Sequence, residues 1–144
     1  IRLPTRLSDG KANLHQGAIG VGIDIPSGKT CRGVWGKEPI KEHPDTEHSI
    51  VGLDIPRWDE LLHMASQCYE LSELGYVGVD FVLDKNKGPL ILELNARPGL
   101  AIQIANGNGL LHRLRKVEGL AAAGTLSPDP AERVAFSKAS FPTI

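Results

Sequence analysis

The sequence holds only two cysteines in 144 residues, and it has no apolar run of membrane-spanning length, no signal-peptide pattern at its start and no internal repeat. Each shortage removes a class. Cys31 and Cys68 lie far apart without CxxC spacing, so a disulfide scaffold is not indicated and both read as reduced, buried thiols in a cytoplasmic protein. Without a spanning segment, no membrane partner is expected. A charge excess of one sign is lacking too: 16 basic and 17 acidic residues leave a formal charge of -1, so no overall field points to nucleic acid. With 41% hydrophobic residues the chain can bury one core. It begins at Ile1 and not at Met, which reads as a fragment or processed product.

What is present concentrates between Gly75 and Gly99. Tyr76 to Asp84 and Pro89 to Asn95 are rich in β-branched, aromatic and aliphatic residues and flank the turn-prone Lys85-Asn86-Lys87-Gly88, the pattern of a β-hairpin. Alternation along a strand puts Val77, Val79, Phe81 and Leu83 on one face of the first strand and Leu90, Leu92 and Leu94 on one face of the second. Asp80, Glu93 and Asn95 fall on the opposite faces. A hairpin symmetric about Asn86 and Lys87 sets Asp80 directly across from Glu93. Like charges facing each other across a ladder destabilise it, so the arrangement calls for a cation or for one carboxylate of raised pKa. Two carboxylates and an amide oxygen, with room for water and phosphate, suit Mg²⁺. The alternative at this point is a solvated sheet face whose acids pair with lysines.

The remaining chain frames that hairpin. Ile1 to Arg6 reads as a strand, Ser8 to Lys11 as a turn, and Ala18 to Ile25 with Thr30 to Trp35 as a second hairpin. Gly17, Gly20 and Gly22 match neither a dinucleotide fingerprint nor a Walker loop, and read as close backbone approaches or a bulge inside a strand. Residues 36–54 read as a polar loop. His43 and His48, with Glu42 and Glu47, lack zinc-site spacing and belong to that loop. Pro56 to Leu74 is a helix capped by Asp54 and ended by Gly75, with an apolar stripe of Trp58, Leu61, Leu62, Ala65, Cys68, Tyr69 and Leu71. Leu100 to Ala105 and Leu110 to Val117 are short helices, the second carrying Arg113, Arg115 and Lys116 in its last turn. From Gly119 onward little periodicity remains. The expected organisation is one domain over 1–120 and a weakly held tail over 121–144.

Asp80, followed by Glu93-Leu94-Asn95-Ala96-Arg97-Pro98-Gly99, resembles the catalytic hairpin of the ATP-grasp superfamily. Upstream, Lys11-Ala12-Asn13-Leu14-His15-Gln16-Gly17 is similar to the Arg-Ser-Asn-Leu-His-Arg-Gly segment of the ligases that add glutamate to a ribosomal protein C-terminus. The chain most resembles the α-L-glutamate ligase-like branch over roughly residues 1 to 120, with 36–54 as a loop insertion. The resemblance implies an α+β fold, an antiparallel sheet with packed helices corresponding to the ATP-grasp C-terminal subdomain. It implies an ATP-dependent carboxylate-amine ligase acting through an acyl phosphate, with Mg²⁺ or Mn²⁺ held by Asp80, Glu93 and Asn95, nucleotide phosphate contacted by Lys11 and Asn13, and Arg97 as the catalytic cation. The implied partners are a small-molecule or peptide carboxylate and an amine such as glutamate, and a homo-oligomer stays open. In this sequence Lys11 replaces an Arg, which keeps the charge but loses the bidentate fork, and Gln16 replaces another, which removes a positive charge. The superfamily's glycine-rich loop and adenine-reading hinge lie ahead of the matching segment, so these residues alone are expected to bind ATP weakly and to be inactive. A non-catalytic interaction module that keeps the hairpin as scaffold is the competing reading.

Overall fold

In a computed structural model, which describes residues 1–142, the first third of the chain forms a four-stranded antiparallel sheet in the order β1 (Arg2–Leu3), β2 (Ile19–Ile23), β3 (Thr30–Trp35) and β4 (Glu38–Ile40). Ile19 and Val21 are fully buried on one face. Ile50 closes over them, with Leu3, Trp35, Ile40 and Val51 at the margin. Gly33 makes this closure sterically feasible, because a Cβ there would stand 2.4 Å from Ile50 Cδ1. Residues 36–54 are thus not simply the loop that their polarity predicts. They contain β4, a Glu42–Ser49 bridge and the core residue Ile50, all too short to show periodicity. His43 is structural: its Nε2 meets the Pro4 carbonyl at 3.0 Å, and its Nδ1 accepts from the Asp45 N–H at 3.2 Å.

The other face of the sheet carries a 3₁₀ helix, Leu100–Asn106. A Cβ on Gly20 would lie 3.3 Å from Ala105 Cβ, and one on Gly22 only 2.6 Å from the Ala105 carbonyl oxygen. The glycines of β2 therefore serve close approach, one of the two readings that their place inside a strand gives, and the other, a bulge, is present as a register shift between Gly22 and Ile23.

Helix α1 (Trp58–Ser72) starts and stops elsewhere than its sequence signals suggest. Asp54 does not cap it. Its carboxylate takes Lys29 Nζ at 2.7 Å, and Arg57, left-handed at φ 56°, occupies the cap position with its guanidinium on Glu60. The helix ends at Glu73, also at φ 56°, ahead of Gly75. Of the apolar stripe, Leu61 and Cys68 are buried, whereas Tyr69 and Leu71 are exposed. Helix α2 (Leu111–Ala122) runs more than a turn past the expected end, so Arg113 sits in its first turn and Arg115 and Lys116 near its middle, none of them in its last turn. Arg113 and Lys116 lie over the Phe141 ring, at 5.7 and 5.9 Å.

The expected weak tail instead contains α3 (Pro130–Ser140), capped by Asp129 Oδ1 accepting from Ala131 N–H at 2.8 Å. It docks on α1 through Arg133, which donates to the Ser66 carbonyl at 2.9 Å and pairs with Glu70, and through Lys138 on Asp59. Thr143 and Ile144, the end of the predicted tail, lie outside the described residues. Among the described residues no helix is long and apolar enough to cross a membrane. The architecture is α+β, antiparallel sheets with packed helices, as predicted.

Candidate functional site

A separate two-stranded sheet, β5 (Gly78–Asp84) and β6 (Gly88–Asn95), is the predicted hairpin. Its tip is tied by one side chain: Asp84 Oδ1 accepts from the N–H groups of Asn86 at 2.9 Å and Lys87 at 2.8 Å. These two donors, Lys87 first, hold the Asp84 carboxyl below the usual carboxylate range. Gly88, at φ 80°, lets the Arg57 guanidinium lie against the backbone there, which brings the start of α1 to the hairpin.

Asp80 pairs directly with Glu93. The route to that pairing differs from the symmetric hairpin. Phe81 opposes Ile91, Val82 opposes Leu90, and a register shift next to Asp80 leaves Leu92 as the extra residue. The bulge corrects the predicted faces: Leu90 shares the face of Asp80, and Ile91, not Leu92, backs Phe81. Without the bulge, Leu92 and not Glu93 would oppose Asp80. Asn95, opposite Gly78, lies on the same face as Glu93, and its Nδ2 donates to Glu93 Oε1 at 2.9 Å.

The cation that two opposed acids need is supplied from a place the sequence did not single out. Arg2 Nη2 donates to Asp80 Oδ1 at 3.1 Å, so a guanidinium from β1 neutralises one carboxylate. Among the described residues no group of three or more His, Cys, Asp or Glu side chains gathers to hold a metal. Asp80, Glu93 and Asn95 nonetheless share one face, and two carboxylates with an amide whose nitrogen now turns to Glu93 and whose oxygen is the potential ligand are chemistry that fits Mg²⁺ completed by water and phosphate.

The other predicted residues are placed but not gathered. Lys11 and Asn13 lie on the β1–β2 connection, exposed, and Asn13 Oδ1 caps the short 3₁₀ helix Leu14–Gln16 by accepting from the His15 N–H at 3.0 Å. That connection is shaped by Thr5 and Ser8, both buried: the Thr5 N–H donates to Ser8 Oγ at 2.9 Å and the Ser8 N–H to Thr5 Oγ1 at 3.1 Å. Among the described residues, no hydrogen bond or ion pair joins Lys11, Asn13 or Arg97 to the hairpin acids. Arg97 stands exposed in the bend after β6, where Pro98 packs against Gly78.

A model of the sugar-transfer associated ATP-grasp family matches residues 1–119. The chain belongs to that family. No curated protein and no solved structure matches it. ATP-grasp proteins in general are ligases that use ATP with Mg²⁺ to form C–N or related bonds. The superfamily expected from Asp80 and Glu93-Leu94-Asn95 is the one found, while the glutamate ligase-like branch gains no support from the match. The ATP-grasp match runs from β1 into α2 and stops before α3, so the predicted site residues all lie within it.

Proposed function

We propose that this protein is an ATP- and Mg²⁺-dependent carboxylate-amine ligase acting through an acyl phosphate. A substrate carboxylate oxygen attacks the γ-phosphorus of ATP and ADP leaves. The amine nitrogen then attacks the acyl carbon, phosphate leaves, and the nitrogen gives its proton to solvent. In this reading Asp80, Glu93 and Asn95 hold Mg²⁺, Lys11 and Asn13 bind nucleotide phosphate, and Arg97, free of partners among the described residues, turns to the acyl phosphate. Bound Mg²⁺ would neutralise charge that builds on the phosphoryl oxygens during transfer. The observation that carries the reading is the direct opposition of Asp80 and Glu93, with Asn95 beside them, inside the segment that matches an ATP-grasp family. The family's description as sugar-transfer associated favours a carboxylate or amine borne on a saccharide-containing substrate, and glutamate is retained as one amine to assay.

The test is amine-dependent ADP release by the full-length protein and its Glu93→Ala variant. The ligase reading expects a loss of about a hundredfold or more, the scale of removing one preorganised electrostatic contact from a reacting centre. One observation favours a second reading, a binding module on the same scaffold: Asp80 already has a cation partner in Arg2. That reading expects no nucleotide turnover in either protein and unchanged partner binding.

A further inference from the structure

Strand β1 is two residues long, yet its first residue reaches 78 positions along the chain to place its guanidinium on Asp80. Both side chains remain partly in solvent, 42% and 37% exposed, so the pair adds little as a structural staple. What distinguishes it is the oxygen it occupies. Asp80 faces Glu93, and a guanidinium on Asp80 stands where the two negative charges require a cation. A divalent ion that takes Asp80 as a ligand competes with Arg2 for that carboxylate. Arg2 is anchored whichever wins, because its backbone pairs with Gly20 and the adjacent Ile1 carbonyl accepts from the Val21 N–H at 2.9 Å. A planar guanidinium released from a carboxylate, and still tethered on the face where phosphate shares the ion, has a matching acceptor in a phosphate oxygen.

We propose that Arg2 is a placeholder and phosphate-positioning residue: it neutralises Asp80 while no divalent cation is bound, and it passes to a nucleotide phosphate oxygen when the cation takes the carboxylate. The proposal rests on the ligase reading and adds the residue that couples loading of metal to loading of nucleotide. Its signature is a pair of opposite effects. Loss of Arg2 frees Asp80 for the ion and deprives the phosphate of a donor.

The experiment uses the full-length protein and Mn²⁺ as a paramagnetic probe, titrated with and without a non-hydrolysable ATP analogue, in wild type, Arg2→Met, Arg2→Lys and Asp80→Asn. Arg2→Met is expected to tighten Mn²⁺ alone about two- to fivefold, the range an exposed ion pair allows. The same variant is expected to weaken Mn²⁺ with the analogue roughly tenfold, the scale of one charge-assisted hydrogen bond. Arg2→Lys, which keeps the charge without the fork, falls between on both. Arg2→Met leaving both affinities unchanged, or weakening both alike as a loosened hairpin would, overturns the proposal. Asp80→Asn separates this failure from that of the underlying reading. If it abolishes Mn²⁺ binding while Arg2→Met changes nothing, only the assignment of Arg2 is lost; if Asp80→Asn has no effect on Mn²⁺, the metal site and the ligase reading fail together.

Discussion

At the scale of single residues, two positions make firm and independent claims on the packing. Cys68 is fully buried on α1, with its thiol on the Met64 carbonyl, and burial first, then nearby Glu70, pushes its pKa up, whereas Cys31 is half-buried on β3. A raised thiol pKa means less thiolate at any given pH, so one thiol per chain is expected to react with a disulfide reagent near neutral pH and the second only after unfolding. Two equally fast thiols in the native protein would contradict the burial of α1. Gly22 makes the second claim. An added Cβ would meet the Ala105 carbonyl oxygen at 2.6 Å, and backbone cannot swing aside as a side chain can. Gly22→Ala is therefore expected to destabilise by about 1–3 kcal/mol in a denaturant titration, as overpacking does, while Gly99→Ala, with nothing near its Cβ, changes far less. Residue chemistry of this kind was only partly legible in the sequence. Glycines inside a strand announced close approach at Gly20 and Gly22, but the partner, the 3₁₀ helix Leu100–Asn106 far along the chain, left no local mark, and Gly17 faces Leu7 instead.

At the scale of elements, the hairpin and α1 were readable because each carries its own period and its own punctuation, and the elements that escaped carry neither. β4 has three residues, and α3 buries only Val134, so no apolar stripe marks it even though Asp129-Pro130 is a proper helix start. The bulge at Leu92 was invisible for a different reason. Strand alternation assumes an unbroken ladder, and every residue of β6 from Leu92 onward has the composition to fit either register. Two element-scale predictions follow from the contacts that replaced these missing signals. Asp84 has a depressed pKa in the folded hairpin, so the stability it gives is present above its unfolded value, about 3.9, and is lost as pH falls through the lower folded value. Exchange protection of the Asn86 and Lys87 amides should accordingly persist at pH 6 and collapse in acid, and Asp84→Ala should remove it at both. For α3, Arg133 connects the Ser66 and Pro128 carbonyls with Glu70, and its hydrogen bonding to Glu70 lowers that carboxyl's pKa. Arg133→Ala is expected to raise amide exchange throughout 130–140 before that of the β2–β3 core, with Arg133→Lys restoring little, because the fork and not the charge reaches acceptors on Ser66, Ser127, Pro128 and Glu70 together.

At the scale of the whole molecule, the site is a face and not yet a cleft. Asp80 is half-buried, Glu93 and Asn95 are exposed, and on the same hairpin Leu92 is 68% exposed, with Leu83, Leu90 and Leu94 also open. Two of the hollows in the described surface can be compared with it. One of about 620 Å³ is lined by Asp24, Cys31, Arg32 and Asn106, and the other, about 390 Å³, by Trp35, Ile40 and His43; neither includes the hairpin acids. A ligand of nucleotide size is ordinarily held by burying most of its surface between walls, and one wall gives phosphate and metal contacts without enclosing adenine or ribose. The 144-residue chain by itself is therefore expected to bind Mg·ATP at about millimolar affinity or weaker, a few kcal/mol of binding free energy, and to release no ADP on addition of an amine. Glu93→Ala is expected to weaken that binding further, since the ion and the triphosphate meet on one carboxylate face. Titration calorimetry on the chain and its variant decides it. Micromolar binding by residues 1–144 alone would mean that these residues already enclose the nucleotide, and the roles given to Asp80, Glu93 and Asn95 on an open sheet would have to be reassigned.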